Sequence, residues 1–409
     1  MTATIVTTVQ VLFDGTNAID ISSRVKNVDI TYGRQRLFDE YGAGSCVVSI
    51  NNRDNYLTPG HSDSTYGNTQ LIGREVRISA AVTGGSDSYS SYLFRGFISD
   101  VDYLPDVNHQ SATTVIKCVD GFQKLAKARF NDQSFSAEKT SVRTTNVLNL
   151  VSYPDESNPN DRTIATGEID CLSQTGVSST ALSYLQQVAK TENGKFLINH
   201  AGTPASTNFG GVATFIAKNQ TLLSSGLTVS DANSLSSGSI QAEQIEMEYG
   251  SELLFNAYAM TPGSGSVQTG SNATSVAKYG TRTIERTLLS STTDADNIGI
   301  YYIGLHDEPT LRVSKVVLQA DMATTADAEK ILHLNVHSSL NVSVLPVGSS
   351  TTLTGEMVVE GLTISIVPRD MATNQSSVTY TISTSNADAT AYWIMGDASL
   401  SVLPTILAP

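Results

Sequence analysis

The sequence predicts a mainly β protein with α+β insertions, in which two β-barrel-like tube domains are joined by mixed α/β segments. Alternating apolar and polar residues recur in the opening and closing portions of the chain, which is the period of half-buried strands. Charged residues make up only 16% of the chain, below the roughly 25% of an average soluble protein. The 409 residues exceed one ordinary core, so several domains are expected.

The first predicted domain, residues 1–128, is a β-barrel tube domain. Five or six strands at close spacing are typical of a small barrel or sandwich, and a turn at Asp14-Gly15 separates the first two. The change to a helical period at residues 121–129 predicts a short helix. The strand candidates are residues 4–13, 25–32, 46–51, 75–83, 91–103 and 112–119.

The second predicted domain, residues 129–238, is mixed α/β and contains the clearest helix of the chain at residues 180–192. Either Ser179 or Thr180 caps this helix, and Asn193-Gly194 ends it. The sequence further predicts a helix at 142–151, a polar loop region at 131–176, paired strands at 195–199 and 211–217, and a Ser-rich linker at 219–240.

The second β-barrel tube domain is predicted to be discontinuous, comprising residues 239–262 and 307–409. An insertion at residues 263–306 separates the two parts and carries helices and a strand. Its predicted elements are helices 271–279 and 295–305 and strand 281–288. The barrel is predicted from strands 240–249, 256–260, 310–319, 340–345, 356–366 and 377–383, with a helix at 323–334.

The chain is acidic, with a net charge of −14. Such a surface repels phosphate, so sequence-specific nucleic-acid binding is not expected. Residues 239–409 hold 17 acidic and 7 basic residues, and residues 1–238 hold 22 and 18, so the C-terminal part carries −10 of the total. No apolar stretch reaches about 18 residues, and no signal peptide is seen, so no membrane insertion is expected.

Cysteine usage fits a reducing compartment. The three cysteines have no CxxC spacing, and Cys46 and Cys118 lie in apolar strand-like runs, where a buried small side chain is expected. Nothing in the spacing requires a disulfide framework, which fits assembly in the cytosol.

No catalytic, cofactor-binding or metal-binding residues are predicted. The chain lacks a nucleophile elbow and a phosphate loop, and a Gly-x-Gly at residues 42–44 lacks the third glycine. His333 and His337 have metal-like spacing, but no glutamate lies between them and no third ligand follows. His61 and His200 are expected to be solvated. Paired carboxylates, which a glycosidase requires, are interpreted as surface groups at Asp39-Glu40, Asp155-Glu156 and Asp307-Glu308.

A series of short motifs spreads over nearly the whole chain, and their order and spacing are more specific than any one of them. Together they resemble the tail hub, or minor tail, proteins of tailed bacteriophages. The motifs are Tyr32-Gly33-Arg34, Glu40, Ala43-Gly44, Asn52-Arg53-Asp54, residues 73–77, residues 93–96, Cys118-Val119-Asp120, residues 182–196, residues 246–256, Tyr279-Gly280, Glu308-Pro309 and residues 392–397.

The resemblance implies a structural component of the tail tip or baseplate, not an enzyme. Hubs of this kind are homotrimers in which each chain supplies two similar barrels, so that three chains form a pseudo-hexameric ring. The implied partners are a distal tail protein or tail tube above, tip or fibre proteins below, and a tape measure protein in the lumen. DNA would pass through that lumen, and the protein would be a virion component assembled in the host cytoplasm.

Several residues receive structural interpretations. Gly33, Gly42 and Gly44 flank a loop between two strands, where positive φ is often needed. The cluster Arg34, Arg36, Asp39 and Glu40 could bridge neighbouring subunits or lie in a solvated loop. Further expectations concern an internal turn at Arg53-Asp54, opposite faces for Arg74 and Arg77, and packing inside the first barrel for Leu93, Gly96 and Phe97.

Three alternatives stay open. The acidic excess indicates either simple solubility or an acidic inner surface along which DNA passes without adhering. A receptor-binding or carbohydrate-binding tip protein is the alternative function, although aromatic residues are only 7% of the chain. A cell-wall hydrolase fused to a hub is the third, but no segment of about 120 residues remains to house it.

Overall fold

The computed structural model describes residues 2–85, 91–105, 112–153, 161–200, 210–218, 220–263, 265–345 and 352–387. The resemblance motif at residues 392–397 and the acid pair Asp155-Glu156 lie outside these residues. None of the described helices is long and apolar enough to cross a membrane.

Within the described residues the chain forms 24 strands and six α-helices. The strands β1 to β24 are Ile5–Val11, Ile19–Asp20, Val25–Gly33, Gly42–Asn51, Glu75–Val82, Ser91–Pro105, Ala112–Val119, Arg129–Phe135, Glu138–Lys139, Arg162–Ile164, Asp170–Cys171, Gln174–Thr180, Lys195–Asn199, Val212–Ile216, Leu223–Ser230, Ile240–Gln241, Gln244–Tyr249, Ala257–Pro262, Gln268–Ser271, Thr283–Leu289, Leu311–Gln319, Ser338–Val344, Leu353–Asp370 and Gln375–Asn386. The helices α1 to α6 are Phe122–Lys127, Thr140–Leu150, Ala181–Glu192, Ala273–Tyr279, Thr292–His306 and Thr325–Leu332.

Eight strands of the largest sheet form a ladder that closes on itself. The order is β3-β4-β7-β6-β5-β1-β24-β23, and β23 pairs again with β3. Every pairing in this ladder is antiparallel. The predicted alternation of β1 is confirmed, because every second residue from Ile5 to Val11 is buried. The buried faces pack into one apolar core, as expected for a barrel-like module.

The same sheet contains a second closed ladder. Its order is β15-β22-β23-β24-β21, and the continuous stretch from β16 to β17 completes it. β22 pairs with β15 and β23, and β21 pairs with β17 and β24. The gap between β15 and β21 is bridged by the stretch that joins β16 to β17. There the amide nitrogens of Ala242 and Glu243 donate to the carbonyls of Ser230 and Val317, at 2.9 Å each.

The hairpin β23–β24, here named the shared hairpin, belongs to both ladders. The first part of β23 pairs with β22, and residues 361–366 pair with β3. In the same way β24 pairs with β21 along most of its length and with β1 at its start. Strands from the end of the sequence therefore complete the first ladder, a long-range arrangement that local alternation does not specify.

The predicted mainly β fold class is confirmed, and the segment predicted as a linker is corrected. The stretch 219–240, expected to be a linker, contains β15, whose Leu227 and Val229 are buried in the core. Its serines conceal the alternation, because they are small enough to be tolerated on both faces of a strand. The domain boundaries at 128, 238, 262 and 306 stay a prediction, although β15 pairs with strands of the second ladder.

The mixed segments lie around this sheet. Helices α2 and α3 pack against each other, and α3 also contacts β13, which pairs antiparallel with β14 as predicted. Strands β19 and β20 of the insertion form a five-stranded sheet with β18, β9 and β11, covered by α5, around a small core of its own. The strand predicted at residues 256–260 for the second barrel is therefore corrected, because as β18 it pairs with β19 and β20 in this separate sheet. Strands β8 and β12, within or next to the predicted polar loop region, pair with each other.

Helix α3 has the predicted ends, and the structure decides between the two candidate caps. The Thr180 hydroxyl accepts a hydrogen bond from the Ser183 amide at 3.3 Å, and Asn193 ends the helix with φ +56°. We expect Thr180→Ala to lower the free energy of unfolding by about 1 kcal/mol, since one amide loses its partner. Ser179→Ala is the control, and urea denaturation that shows equal losses would contradict the assignment.

Candidate functional site: a buried ionic junction and a cationic cavity

The shared hairpin carries a charged residue in its most buried stretch. Residues 357–362 of β23 are buried without interruption, and Glu360 among them has no exposed surface. An ionised carboxylate in such a position requires several partners, because burial removes its hydration. In the sequence, the signal for this site is a glutamate inside an apolar run.

Four side chains form hydrogen bonds or ion pairs with the Glu360 carboxylate. The carboxylate accepts hydrogen bonds from Arg34 Nε at 2.8 Å, from Tyr41 Oη at 2.7 Å and from Ser385 Oγ at 2.8 Å. Lys195 Nζ lies 3.2 Å from both carboxylate oxygens. These five residues, named the junction, join the β3–β4 loop, the start of β13 and both strands of the shared hairpin.

The junction shifts the pKa values of its members. Burial on its own would raise the pKa of Glu360, but Arg34 and Lys195 hold it well below its ordinary value. Burial lowers the pKa of Lys195 to about 8, although Glu360 acts in the opposite direction. The carboxylate is therefore ionised at neutral pH, and its attraction is divided between two cations.

The backbone approaches closely at the junction, where glycine is required. Gly33 has φ +93°, and a Cβ there would lie 2.5 Å from both the Glu360 carbonyl oxygen and Gly361 Cα. Gly42 differs from the expectation, because it has open space and no positive φ. Gly44 also lacks positive φ, but a Cβ there would lie 2.5 Å from Asp120 Oδ2.

A second buried polar group packs against strands of the first ladder and corrects the expectation for His200. This histidine is 1% exposed, not solvated, and its Nε2 lies 3.7 Å from Asp120 Oδ2. Burial, with Arg95 nearby, lowers the pKa of His200 to about 3. Burial also raises the pKa of Asp120 to about 8, against hydrogen bonds from the amides of Gly44 and Phe122.

Three of the four loop charges predicted to bridge subunits or to be solvated have ion-pair partners within the chain. Arg34 pairs with Glu360, Arg36 with Glu252 at 3.0 Å, and Glu40 with Lys190. Asp39 is exposed.

The other singled-out residues occupy the following places. Asp54 pairs with Arg24 at 2.7 Å, not with Arg53. Arg77 contacts Glu75 at 3.0 Å, whereas Arg74, which precedes β5, donates from Nε to the carbonyl of Gln70. Leu93 and Phe97 are buried as expected, and a Cβ at Gly96 would lie 2.5 Å from the Val119 carbonyl oxygen.

The candidate histidine pair is not assembled into a metal site. His333 is exposed just after α6, whereas His337 is buried. No group of three or more metal-ligating side chains occurs among the described residues. All three cysteines are buried and free.

A cavity of about 420 Å³ opens beside the junction, between the β3–β4 loop, the α3–β13 turn and the insertion. Its charge is opposite in sign to that of the whole chain. Two acidic residues, Asp39 and Glu285, line it, together with an aromatic wall that includes Phe38, Tyr301 and Tyr302. The cationic residues that line it are Arg34, Lys190, Lys195, Lys218 and Arg286.

His306, which lines the cavity, makes stability depend on pH. Burial lowers its pKa to about 4 from the ordinary 6.5. The unfolded chain therefore binds a proton at this residue between those values while the folded chain does not, so stability is lost as the pH falls through this range. We expect His306→Leu to reduce the loss between pH 7 and 4.5 by on the order of 2–3 kcal/mol. Urea titrations at both pH values measure it, and equal losses in the two proteins would contradict it.

Comparisons with known proteins give a likeness of fold. No family model matches the sequence, and no curated protein matches it. The tail protein from Neisseria meningitidis MC58 is 10% identical with a TM-score of 0.58, covering 95% of this chain and 99% of that one. The 43 kDa tail protein of prophage MuSo2 from Shewanella oneidensis is 12% identical with a TM-score of 0.53, covering 94% and 98%. The predicted resemblance to phage tail proteins is thus confirmed at the level of the fold.

Proposed function

We propose that this chain is a structural component of a bacteriophage tail, the hub that forms a ring at the distal end of the tail tube. One observation carries the proposal: tail proteins share the fold over almost their whole length, and in this chain it contains two closed β ladders on one hairpin. Two barrel-like modules per chain allow three chains to present six similar units around a channel.

The buried network on the shared hairpin supports a structural role. The junction fixes the two ladders and the mixed domain to one another through a buried network with partners on all sides. A ring subunit needs such rigidity, because its two modules must meet neighbouring copies at a constant angle. In the virion the ring would lie between a distal tail protein or tail tube and the tip or fibre proteins. The tape measure protein would occupy the lumen and DNA would later cross it.

The mass of the purified chain in solution tests this proposal. We expect a trimer of about 130 kDa, three times the 43.5 kDa of the chain, held by interfaces well above 2,000 Å² in total. Sedimentation equilibrium over a wide concentration range measures the mass, with and without the neighbouring tail proteins. A chain that stays monomeric under both conditions would contradict the proposal.

A further inference from the structure

The cavity beside the junction has more positive than negative buried charge. Arg34 and Lys195 have side chains that are 11% and 9% exposed, and both pair with Glu360. Among the residues that the structure describes, Glu360 is the only carboxylate within ion-pair distance of either cation. One carboxylate therefore balances the charge of two cations, which leaves a net positive charge. A buried charge without a counter-ion is unfavourable in free energy.

Arg286 is a further cationic residue that lines the cavity. Its guanidinium donates to the carbonyls of Lys190 and Glu285 and to the hydroxyl of Tyr302, at 3.1, 2.8 and 3.0 Å. It lies 5.3 Å from the centre of the Tyr302 ring. These contacts fix the guanidinium in place without neutralising it.

His337 is a further polar residue at the same cavity. It is 5% exposed and lines the cavity. Burial, with Lys195 nearby, lowers its pKa to about 4, against hydrogen bonds to the backbone of Gln220 and Thr221. The imidazole is therefore neutral at pH 7 and adds no charge to the cavity.

The other charges of the cavity are largely balanced locally. Lys190 pairs with Glu40, and Lys218 lies 3.4 Å from Glu168. The lining acids Asp39 and Glu285 are both exposed, so water screens their effect on the buried cations. The uncompensated charge is therefore concentrated at Arg34, Lys195 and Arg286.

We propose that this cavity binds a small oxyanion, a carboxylate or a phosphate, between Arg286 and the Arg34–Lys195 pair. Guanidinium groups bind both kinds of oxyanion through charge-assisted hydrogen bonds. The volume of about 420 Å³ accommodates an organic acid as well as an inorganic ion. The aromatic wall at Phe38, Tyr301 and Tyr302 would contact an organic part of the ligand. Two sources supply this chemistry: a free ion, or an acidic side chain of an adjoining chain in the tail.

Titration with inorganic phosphate tests the proposal on the full-length chain. At constant ionic strength, wild-type protein is expected to show saturable calorimetric binding and a rise of the melting temperature. Arg286→Gln is expected to weaken binding by roughly ten-fold or more, because a charged donor is lost. Arg282→Gln, at an exposed arginine close by that does not line the cavity, is expected to stay within about two-fold of wild type. Equal effects of the two variants would overturn the proposal.

Two further measurements keep the test decisive. If Arg286→Gln does not fold, a wild-type crystal soaked in selenate is expected to give an anomalous peak between Arg286 and Lys195. In assembled tails, an isolated density peak in the cavity supports the free ion, and density continuous with a neighbouring carboxylate supports the side chain. The proposal is overturned if wild-type protein shows no saturable response to phosphate or acetate and the cavity of assembled tails holds only water.

Discussion

Replacement of Glu360 by glutamine is expected to destabilise the protein by about 3–5 kcal/mol, although the two side chains have nearly the same size. The change removes the one carboxylate that pairs with both Arg34 and Lys195, and these cations stay buried. Breaking a buried ion pair in this way costs far more than losing an exposed one. The free energy of unfolding from urea titration at pH 7 measures the effect.

Glu356→Gln is the matched control, because Glu356 lies on the same strand but is exposed. Its expected change is within about 0.5 kcal/mol. Adding Lys195→Met to Glu360→Gln should recover part of the loss, since one buried uncompensated charge is then removed. The account of the junction is wrong if Glu360→Gln behaves like Glu356→Gln.

Acid should reduce the difference in unfolding free energy between wild type and Glu360→Gln. The pKa of Glu360 is lower in the folded state than the ordinary value of 4.5. A depressed carboxyl pKa contributes stability that is present above the unfolded value and is lost as the pH falls below it. The difference in unfolding free energy between the two proteins should therefore be largest at pH 7 and decrease below about pH 4.5.

Replacement of Gly33 by alanine is expected to have the second large effect, lowering the free energy of unfolding by about 2–5 kcal/mol. A left-handed backbone costs roughly 1–2 kcal/mol for a residue with a Cβ, and Gly33 has φ +93°. The new methyl group would also lie 2.5 Å from the backbone of Glu360 and Gly361, which cannot rotate away. Overpacking of this kind typically costs another 1–3 kcal/mol.

Gly42→Ala is the control for this experiment, because Gly42 lies directly opposite Gly33 in the ladder between β3 and β4. It has no atom within 4 Å of a built Cβ and no positive φ. Alanine there is expected to be neutral or slightly stabilising. Losses of the same size at both positions would show that the close approach at the junction does not matter for stability.

Local patterns in the sequence predicted most of the elements and few of the long-range contacts. Alternation located every strand of the first ladder and all strands of the second except β15, and cap residues located α3, because these signals depend on neighbours within a few residues. β15 was missed because five of its eight residues are Ser, Gly or Thr, and only Leu227 and Val229 reveal its apolar face.

The site was less predictable because its members come from distant parts of the chain. Arg34 and Glu360 are 326 positions apart, and Lys195 and Glu360 are 165 apart. The sequence identifies Arg34 as a loop charge, but its partner depends on how β23 pairs with β3. His200 was expected in solvent because it follows a strand, whereas the packing of β6 and Asp120 around it decides its burial.

Electron-microscopic imaging of the purified full-length chain, alone and with its tail neighbours, tests the central claim most directly. The account predicts closed annuli with an open pore, in which three copies each contribute two β modules. Images that contain only single compact particles without a pore, at high concentration and in the presence of those neighbours, would contradict it.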